Sequence, residues 1–330
     1  MDFSPISQAK GPRRTRIRRL SAHLMSSSPL ASTTRAFINS SPVEMENSIA
    51  SSLSPTMRHV IDGFVLLDAS NAELPEYAYR ITVSPHGYNS VQYEDLRFFE
   101  NLEYLDVSDN QLDVFDFAKL PKLKDLRMTY NHIHQITLNQ NIDFNNCYVN
   151  LLSLDLSFNR ISPEYISELK ILPSLTELDL SHNELMTLPT NMFTLQTIER
   201  LTLDHNNLSD LDTFLHVSYM PCLRHLSLAN NLLSKISAQS CGVHNFKLLS
   251  TLDLSCNYFS NEESLFPLTH VYRLEEIMLY GNPLLGPTGE DPLHLYIEDL
   301  EQQCIKAREG REDQPILVLI HPPKKFMYHQ

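Results

Sequence analysis

The chain has no tryptophan and only 8 glycines among its 330 residues, and it lacks the common glycine-dependent catalytic signatures. It contains no Gly-x-x-x-x-Gly-Lys-Ser/Thr phosphate loop, no Gly-x-Ser-x-Gly nucleophile elbow and no protein-kinase signature set. No apolar run approaches the roughly 18 residues that a transmembrane helix needs. These absences predict a protein that is not an enzyme, carries no cofactor and does not contact a membrane.

Clustered cysteines are also absent. The sequence holds an odd number of cysteines, five, and they are widely scattered: Cys147, Cys222, Cys241, Cys256 and Cys304. This spacing does not suggest a disulfide framework and favours a reducing compartment. No apolar segment follows the basic residues near the N-terminus, so we expect no secretory signal. The predicted location is therefore the cytoplasm, with the nucleus as an alternative.

The chain does have one pattern in abundance, Leu-x-x-Leu-x-Leu-x-x-Asn-x-Leu, which occurs eight times between residues 102 and 284. Its asparagines are Asn110, Asn131, Asn159, Asn183, Asn206, Asn231, Asn257 and Asn282, at steps of 21 to 28 residues. In the copy at Leu175, Leu178 and Leu180 alternate with polar residues, which predicts a half-buried strand. No single repeat can bury that face alone, so we expect the copies to stack, with Asn183 at the turn after the strand.

The pattern over residues 64–285 resembles the leucine-rich-repeat superfamily. We therefore predict an α/β leucine-rich-repeat solenoid, with a curved parallel sheet on its concave face and short helices and turns on its convex face. The predicted helices begin at Ser162, Asn261 and Pro292, the last being followed by a strand from Pro315 to Ile320. The segment from Phe64 and the segment ending at Val83 are interpreted as two degenerate repeats, and residues 138–150 as a polar insertion. The predicted divisions are a disordered tail at 1–57, capping repeats at 58–100, eight repeats at 101–285 and a helix–strand cap at 286–330.

The first 57 residues are basic, whereas the rest of the chain is acidic. They contain 7 basic and 3 acidic residues, which leaves 19 basic and 37 acidic residues in the remainder. A serine-rich segment without periodicity is most simply a disordered tail. Three alternatives stay open for its Arg13–Arg19 run: a nuclear-import or nucleic-acid patch, a mitochondrial presequence and a regulated arm. Nucleic acid is expected as a partner only through this arm.

The polar positions between the strand leucines should face outward on the concave side and make it acidic. An acidic face repels phosphate and favours a partner with a basic surface. One column of this face, which directly precedes the asparagines, carries four consecutive rings: Tyr130, Phe158, His182 and His205. With Tyr104, Arg127 and Arg200 beside them, these rings are the predicted protein-binding site. The alternative is that the rings pack on one another and only cover strand edges.

The same column raises the question of a metal site, because Cys256 follows His182 and His205 in it. Tight ligand pairs such as Cys-x-x-Cys or His-x-x-x-His are absent there, so we predict no metal site and no small-molecule ligand. The side chains in a column of this kind more often form an exposed surface than bind a metal ion.

The end of the array carries a narrower likeness. Residues 257–302, with a Gly-Asn-Pro-Leu turn followed by a Pro-Leu-led helix, resemble the X-ray radiation resistance-associated protein family. That resemblance implies an intracellular protein with no assigned chemistry and a link to radiation response. The leading prediction is a non-enzymatic protein-interaction scaffold. The alternatives are a nucleic-acid-associated protein that uses the basic arm and a ciliary or phosphatase-associated adaptor.

Overall fold

The computed structural model describes residues 59–136, 147–209, 212–242, 244–285 and 317–319. Its strands are β1 Val60–Ile61, β2 Arg80–Thr82, β3 Ser90–Val91, β4 Tyr104–Asp106, β5 Asp125–Arg127, β6 Ser153–Asp155, β7 Glu177–Asp179, β8 Arg200–Thr202, β9 His225–Ser227, β10 Thr251–Asp253, β11 Glu276–Met278 and β12 Leu317–Leu319. The α-helices are α1 Gly63–Ser70, α2 Tyr93–Leu96, α3 Pro163–Ile166 and α4 Thr213–Ser218. Segments of 3₁₀-helix cover Pro75–Tyr77, Ser167–Ile171, Met192–Thr194, Ala238–Cys241, Glu262–Ser264, Phe266–His270 and Pro283–Leu285.

Ten strands form one parallel sheet in the order β12-β11-β10-β9-β8-β7-β6-β5-β4-β2, while β1 and β3 form a separate parallel pair. Each of the eight repeats contributes one three-residue strand, from β4 to β11. The middle leucines of neighbouring strands are register partners, as in the series Leu154, Leu178, Leu201 and Leu226. All four are buried in one continuous apolar core. The predicted α/β solenoid is therefore confirmed.

The predicted helical segments between the strands are present but short. Ser162 precedes α3, and the chain continues as the 3₁₀ segment Ser167–Ile171. Asn261 precedes the segment Glu262–Ser264, and its side chain accepts a hydrogen bond from the Ser264 amide at 3.0 Å. These segments close each repeat in few residues, because the chain must return to start the next strand.

The N-terminal end contains one wrong interpretation. The segment from Phe64, predicted to be a degenerate repeat, is the helix α1. The Asp62 carboxylate caps it by accepting the amides of Phe64 and Val65 at 3.0 and 2.9 Å, and Asn71 ends it in a left-handed conformation. By contrast, the segment ending at Val83 does supply a strand, β2, which pairs with β4.

Several predicted features fall outside the described residues. They are the basic tail at 1–57, residues 138–146 of the polar insertion and the helix predicted from Pro292. The strand predicted between residues 315 and 320 is present as β12, which pairs with β11. The domain boundaries at 57, 100 and 285 stay predictions.

Buried asparagine side chains join the turns that follow the strands. Asn183 Nδ2 donates to the carbonyls of Leu156, Leu180 and Ser181 at 3.0, 3.0 and 3.1 Å. Its Oδ1 accepts the Ile161 amide of the preceding repeat at 3.1 Å. One side chain thereby satisfies backbone groups of two repeats that the sheet leaves unpaired.

Replacing one of these asparagines is expected to destabilise the whole array. Asn183→Ala leaves a buried amide and buried carbonyls without partners, at a cost of about 2–4 kcal/mol. Urea unfolding followed by circular dichroism measures the loss. The neighbouring Asn207 is exposed, so Asn207→Ala is the matched control. Equal stability of the two variants would contradict a structural role for the Asn183 amide.

Candidate functional site

The outward-facing side of the ten-stranded sheet, here called the concave face, presents two columns of side chains. The first strand positions carry Arg80, Tyr104, Asp125, Ser153, Glu177, Arg200, His225, Thr251 and Glu276. The third positions carry Thr82, Asp106, Arg127, Asp155, Asp179, Thr202, Ser227, Asp253 and Met278. Because the middle positions are buried, recognition by this face depends on these two columns.

Aspartates of the third column also hold the turns. Asp155 Oδ1 accepts the Ser157 amide at 3.0 Å and the Ser157 hydroxyl at 2.7 Å, and Asp253 does the same with Ser255. Such bonds fix an Asx-type turn at the end of the strand. These carboxylates therefore contribute negative charge to the face while their orientation is set by the turn.

Asp204 lies two residues beyond β8 and is held from the next repeat. Its Oδ1 accepts the Ser227 hydroxyl at 2.5 Å and the Ala229 amide at 2.9 Å. Burial raises the pKa of Asp204 to about 6, whereas the two hydrogen bonds act to lower it. Asp253 and Asp179 add to the increase through charge repulsion. The folded chain consequently keeps this proton at a higher pH than an unfolded chain does.

Directly before the buried asparagines lies the aromatic row, defined as Tyr130, Phe158, His182 and His205. The ring centroids of successive members are 4.5, 3.9 and 4.2 Å apart, with interplanar angles of 18°, 11° and 10°. Tyr130 is 48% exposed and Phe158 is 37% exposed. The rings therefore pack on one another, as one alternative predicted, and still present their edges to solvent.

Stacking also changes the acid–base behaviour of the row. Burial lowers the pKa of His182, and the neighbouring His205 lowers it further because two protonated rings in contact repel each other. Asp179 acts in the opposite direction. The neutral form of the His182 ring is thus favoured over the charged form.

The backbone under the row is left-handed. φ is 54° at Tyr130, 54° at Phe158, 55° at His182 and 54° at His205. This conformation is uncommon for bulky residues and costs roughly 1–2 kcal/mol each. Sequence reasoning missed this feature, although a signal was present: the same column also holds Asp109, Asn230 and Gly281, residue types that tolerate positive φ.

Tyr104 lies deeper than predicted, between two arginines. Only 8% of it is exposed, and the Arg80 and Arg127 guanidinium carbons lie 3.8 and 5.5 Å from its ring centroid. Burial raises the pKa of the Tyr104 hydroxyl, and the Arg127 charge acts to lower it. Sequence reasoning missed Arg80, because its segment was interpreted only as a degenerate repeat and its register with Tyr104 was not used.

A shallow depression of about 180 Å³ lies between the predicted residues Arg127 and Arg200. The other charged side chains that line it are Asp155, Glu177 and Asp179. Arg200 Nε is 3.7 Å from Glu177 Oε1, and both side chains are half-exposed. The structure places all seven residues of the predicted protein-binding site on strands β4 to β8 or in the turns that follow these strands.

Among the residues that the structure describes, no group of three or more His, Cys, Asp or Glu side chains is arranged to hold a metal ion. None of the helices described is both long enough and apolar enough to cross a membrane.

Comparison with known proteins agrees with this geometry. A family model described as "Leucine rich repeat" matches residues 173–233, and a related model with the same description matches residues 149–164. The chain therefore contains leucine-rich repeats. Proteins of this kind generally mediate protein–protein interaction and are typically non-enzymatic modules.

Its relatives are longer proteins. This leucine-rich-repeat chain is 30% identical to "X-ray radiation resistance-associated protein 1" of Mus musculus over 56% of the chain and 25% of that protein. It is 33% identical to "Tsukushi" of Gallus gallus over 45% of the chain and 39% of that protein. The chain thus spans less than half of either relative. The predicted resemblance to the X-ray radiation resistance-associated family is confirmed as a likeness.

A solved structure with a similar fold is an internalin, InlF, of Listeria monocytogenes. It shares 20% sequence identity and a TM-score of 0.45 with the leucine-rich-repeat array, over 71% of this chain and 73% of that one.

The left-handed backbone of the aromatic row predicts an unusual order of stability. Phe158→Gly relieves the backbone strain that Phe158→Ala retains, while both lose the ring contacts with Tyr130 and His182. The glycine variant is therefore expected to be more stable than the alanine variant by about 1 kcal/mol. Thermal unfolding of both proteins measures the difference.

Phe193 supplies the control for this comparison. It is an exposed ring in the 3₁₀ segment Met192–Thr194, where φ is not positive. There the usual order should hold, with alanine more stable than glycine by about 0.5–1 kcal/mol. If Phe158 follows the same order as Phe193, backbone strain under the row is not significant.

The raised pKa of Asp204 predicts that the stability of the folded protein depends on pH. Because its folded-state pKa is raised from 3.8 to about 6, its contribution favours folding fully below pH 3.8 and is lost as pH rises through 6. Asp204→Asn removes this pH-dependent contribution to the free energy of unfolding. The stability of the variant relative to the parent should therefore increase as the pH rises from 4 to 7. Urea unfolding across that range measures the difference, and the exposed Glu164→Gln controls for loss of one charge. A pH-independent difference would contradict the assignment.

Proposed function

We propose that this leucine-rich-repeat protein is a non-enzymatic scaffold that binds a partner protein through its concave face and the aromatic row. The aromatic row is the observation that supports this most. Four stacked rings remain partly exposed, and the backbone at each of these residues is held in the strained left-handed conformation. Strained positions of this kind are concentrated at functional sites, and aromatic side chains are enriched at the centres of protein interfaces.

The charge of the array supports a partner with a basic surface. Outside the first 57 residues the chain has 37 acidic and 19 basic residues. Long-range electrostatic attraction would then accelerate association with a basic protein. Repulsion from the phosphates would disfavour binding of the acidic array to nucleic acid. The Arg13–Arg19 run lies outside the described residues, and nucleic-acid binding through it stays a prediction.

The setting of the scaffold belongs to the same proposal. The cysteines that the structure describes, Cys147, Cys222, Cys241 and Cys256, are free, which supports a reducing compartment such as the cytoplasm or nucleus. The likeness to "X-ray radiation resistance-associated protein 1" supports a role linked to radiation response. Neither a small molecule nor a membrane is part of the proposed activity.

The test is to remove the rings while keeping the backbone geometry. Asparagine tolerates a left-handed conformation, so the triple variant Tyr130→Asn, Phe158→Asn and His205→Asn should stay folded. Affinity capture of the full chain from cells, followed by quantitative mass spectrometry, compares its partners with those of the parent. We expect the parent's main partners to fall by at least about tenfold, equivalent to roughly 1.4 kcal/mol.

The matched control removes three exposed rings that lie away from the row: Phe193→Asn, Tyr219→Asn and Tyr272→Asn. This variant should keep the parent's partners. An unchanged partner set in the first variant, with thermal unfolding showing that it is folded, would place the binding surface elsewhere.

A further inference from the structure

One end of the concave face holds a pair of oriented guanidinium groups, which we call the arginine pair, Arg80 and Arg127. They extend from β2 and β5, the strands on either side of β4, and pack against the ring of Tyr104. Arg80 is in close contact with the ring, Arg127 lies within cation–π distance of it, and both side chains are exposed. Their N–H groups can therefore still donate hydrogen bonds to a partner.

The arginine pair has no ion-pair partner among the residues that the structure describes. Two carboxylates, Asp106 and Asp125, lie near it, and neither forms an ion pair with it. Asp106 accepts the Ser108 amide and hydroxyl at 3.1 and 2.6 Å. Burial raises the pKa of the Asp125 carboxyl group, whereas the charges of Arg127 and Arg80 act to lower it. Carboxylate and phosphate oxygens are the groups that paired guanidiniums bind best.

In the central depression of the concave face three carboxylates outnumber two arginines, one of which is Arg127 itself, so its net formal charge is negative. Asp155 on β6 and Glu177 and Asp179 on β7 line the depression between Arg127 and Arg200. Glu177 is half-exposed, and its 3.7 Å contact with Arg200 is open to solvent. An exposed ion pair of this kind contributes little, so a partner's ammonium or guanidinium group can replace Arg200 beside Glu177 at small cost.

The register of the sheet sets the distance between the two charged regions. Tyr104 on β4 and Glu177 on β7 are three strand spacings apart in the sheet order, or about 14 Å at about 4.8 Å per strand. An extended peptide that crosses the strands advances about 3.3 Å per residue, so about four residues span this gap.

We propose that the concave face binds an extended segment of a partner protein that is itself bipolar. An acidic side chain lies at the arginine pair, and a lysine or arginine about four residues away lies in the central depression. This inference rests on the proposed function, since it names the chemistry of the partner at the same face. A uniformly basic segment would place positive charge against the arginine pair, which disfavours it relative to the bipolar one.

The experiment selects peptides without assuming their sequence. A random twelve-residue peptide library displayed on phage is panned on the full-length protein, and enriched peptides are synthesised for fluorescence anisotropy. The expected consensus contains an acidic residue and a basic residue separated by three to five positions. Arg80→Glu together with Arg127→Glu should weaken binding of such a peptide by about tenfold. It should also remove the acidic residue from a consensus selected on the variant.

Charge reversals elsewhere give the matched control. Arg160→Glu together with Arg273→Glu changes the net charge equally at exposed positions outside the two strand columns. These substitutions should leave the affinity of the selected peptide within about twofold.

The possible outcomes separate this inference from the function on which it rests. Peptides that are only basic, bind the concave face and ignore the arginine pair would overturn the bipolar partner and leave the scaffold function intact. Peptides that are unaffected by both the arginine-pair variant and the Tyr130, Phe158 and His205 triple variant would overturn both. Failure to enrich any peptide would also count against the bipolar segment, since its contacts lie within one short stretch.

Discussion

The buried turn after each strand is the constraint on which the other features depend. Its asparagine must bond backbone groups of its own repeat and of the one before. Asn206 does so when its Nδ2 donates to the Leu203 carbonyl at 2.9 Å and its Oδ1 accepts the amides of Asn183 and Leu185 at 3.0 Å each. A side chain can reach both only if the chain bends sharply. That bend places the preceding residue in the left-handed region, at 55° in His182 and 54° in His205.

The same turn explains why the rings form a row. Each strand is in register with its neighbours, so residues that precede successive asparagines stand one strand spacing apart. At that spacing flat side chains stack, and the contacts from Phe158 to His182 and His205 recover part of the strain in the backbone. The structure of the repeat therefore positions the proposed recognition surface without any dedicated loop or insertion.

Much of this architecture could be predicted from the sequence because leucine periodicity and the asparagine positions determine which residues are buried. Leu154 and Leu178 needed no more than their spacing to be placed side by side. The N-terminal cap was harder to predict from the sequence, because α1 buries Leu66 and Leu67 in a helix whose start depends on one aspartate, Asp62. The repeat pattern did not predict how side chains are oriented on the outward-facing side of the sheet. Nothing in the spacing showed that two arginines from different strands would cover Tyr104.

The limits of the row suggest where recognition is concentrated. Beyond His205 the column continues with Asn230, Cys256 and Gly281, which offer no rings. An added Cβ at Gly281 would lie 2.7 Å from Cys256 Sγ, so close packing disfavours a ring at this position.

The earlier repeats differ because rings occupy the corresponding positions of this column. They carry the exposed Tyr130 and Phe158 together with the arginine pair. The proposed binding surface therefore lies between β2 and β8, where the repeat pattern leaves the outward-facing side chains unspecified. The later strands, β9 to β11, continue the same sheet and the same buried core.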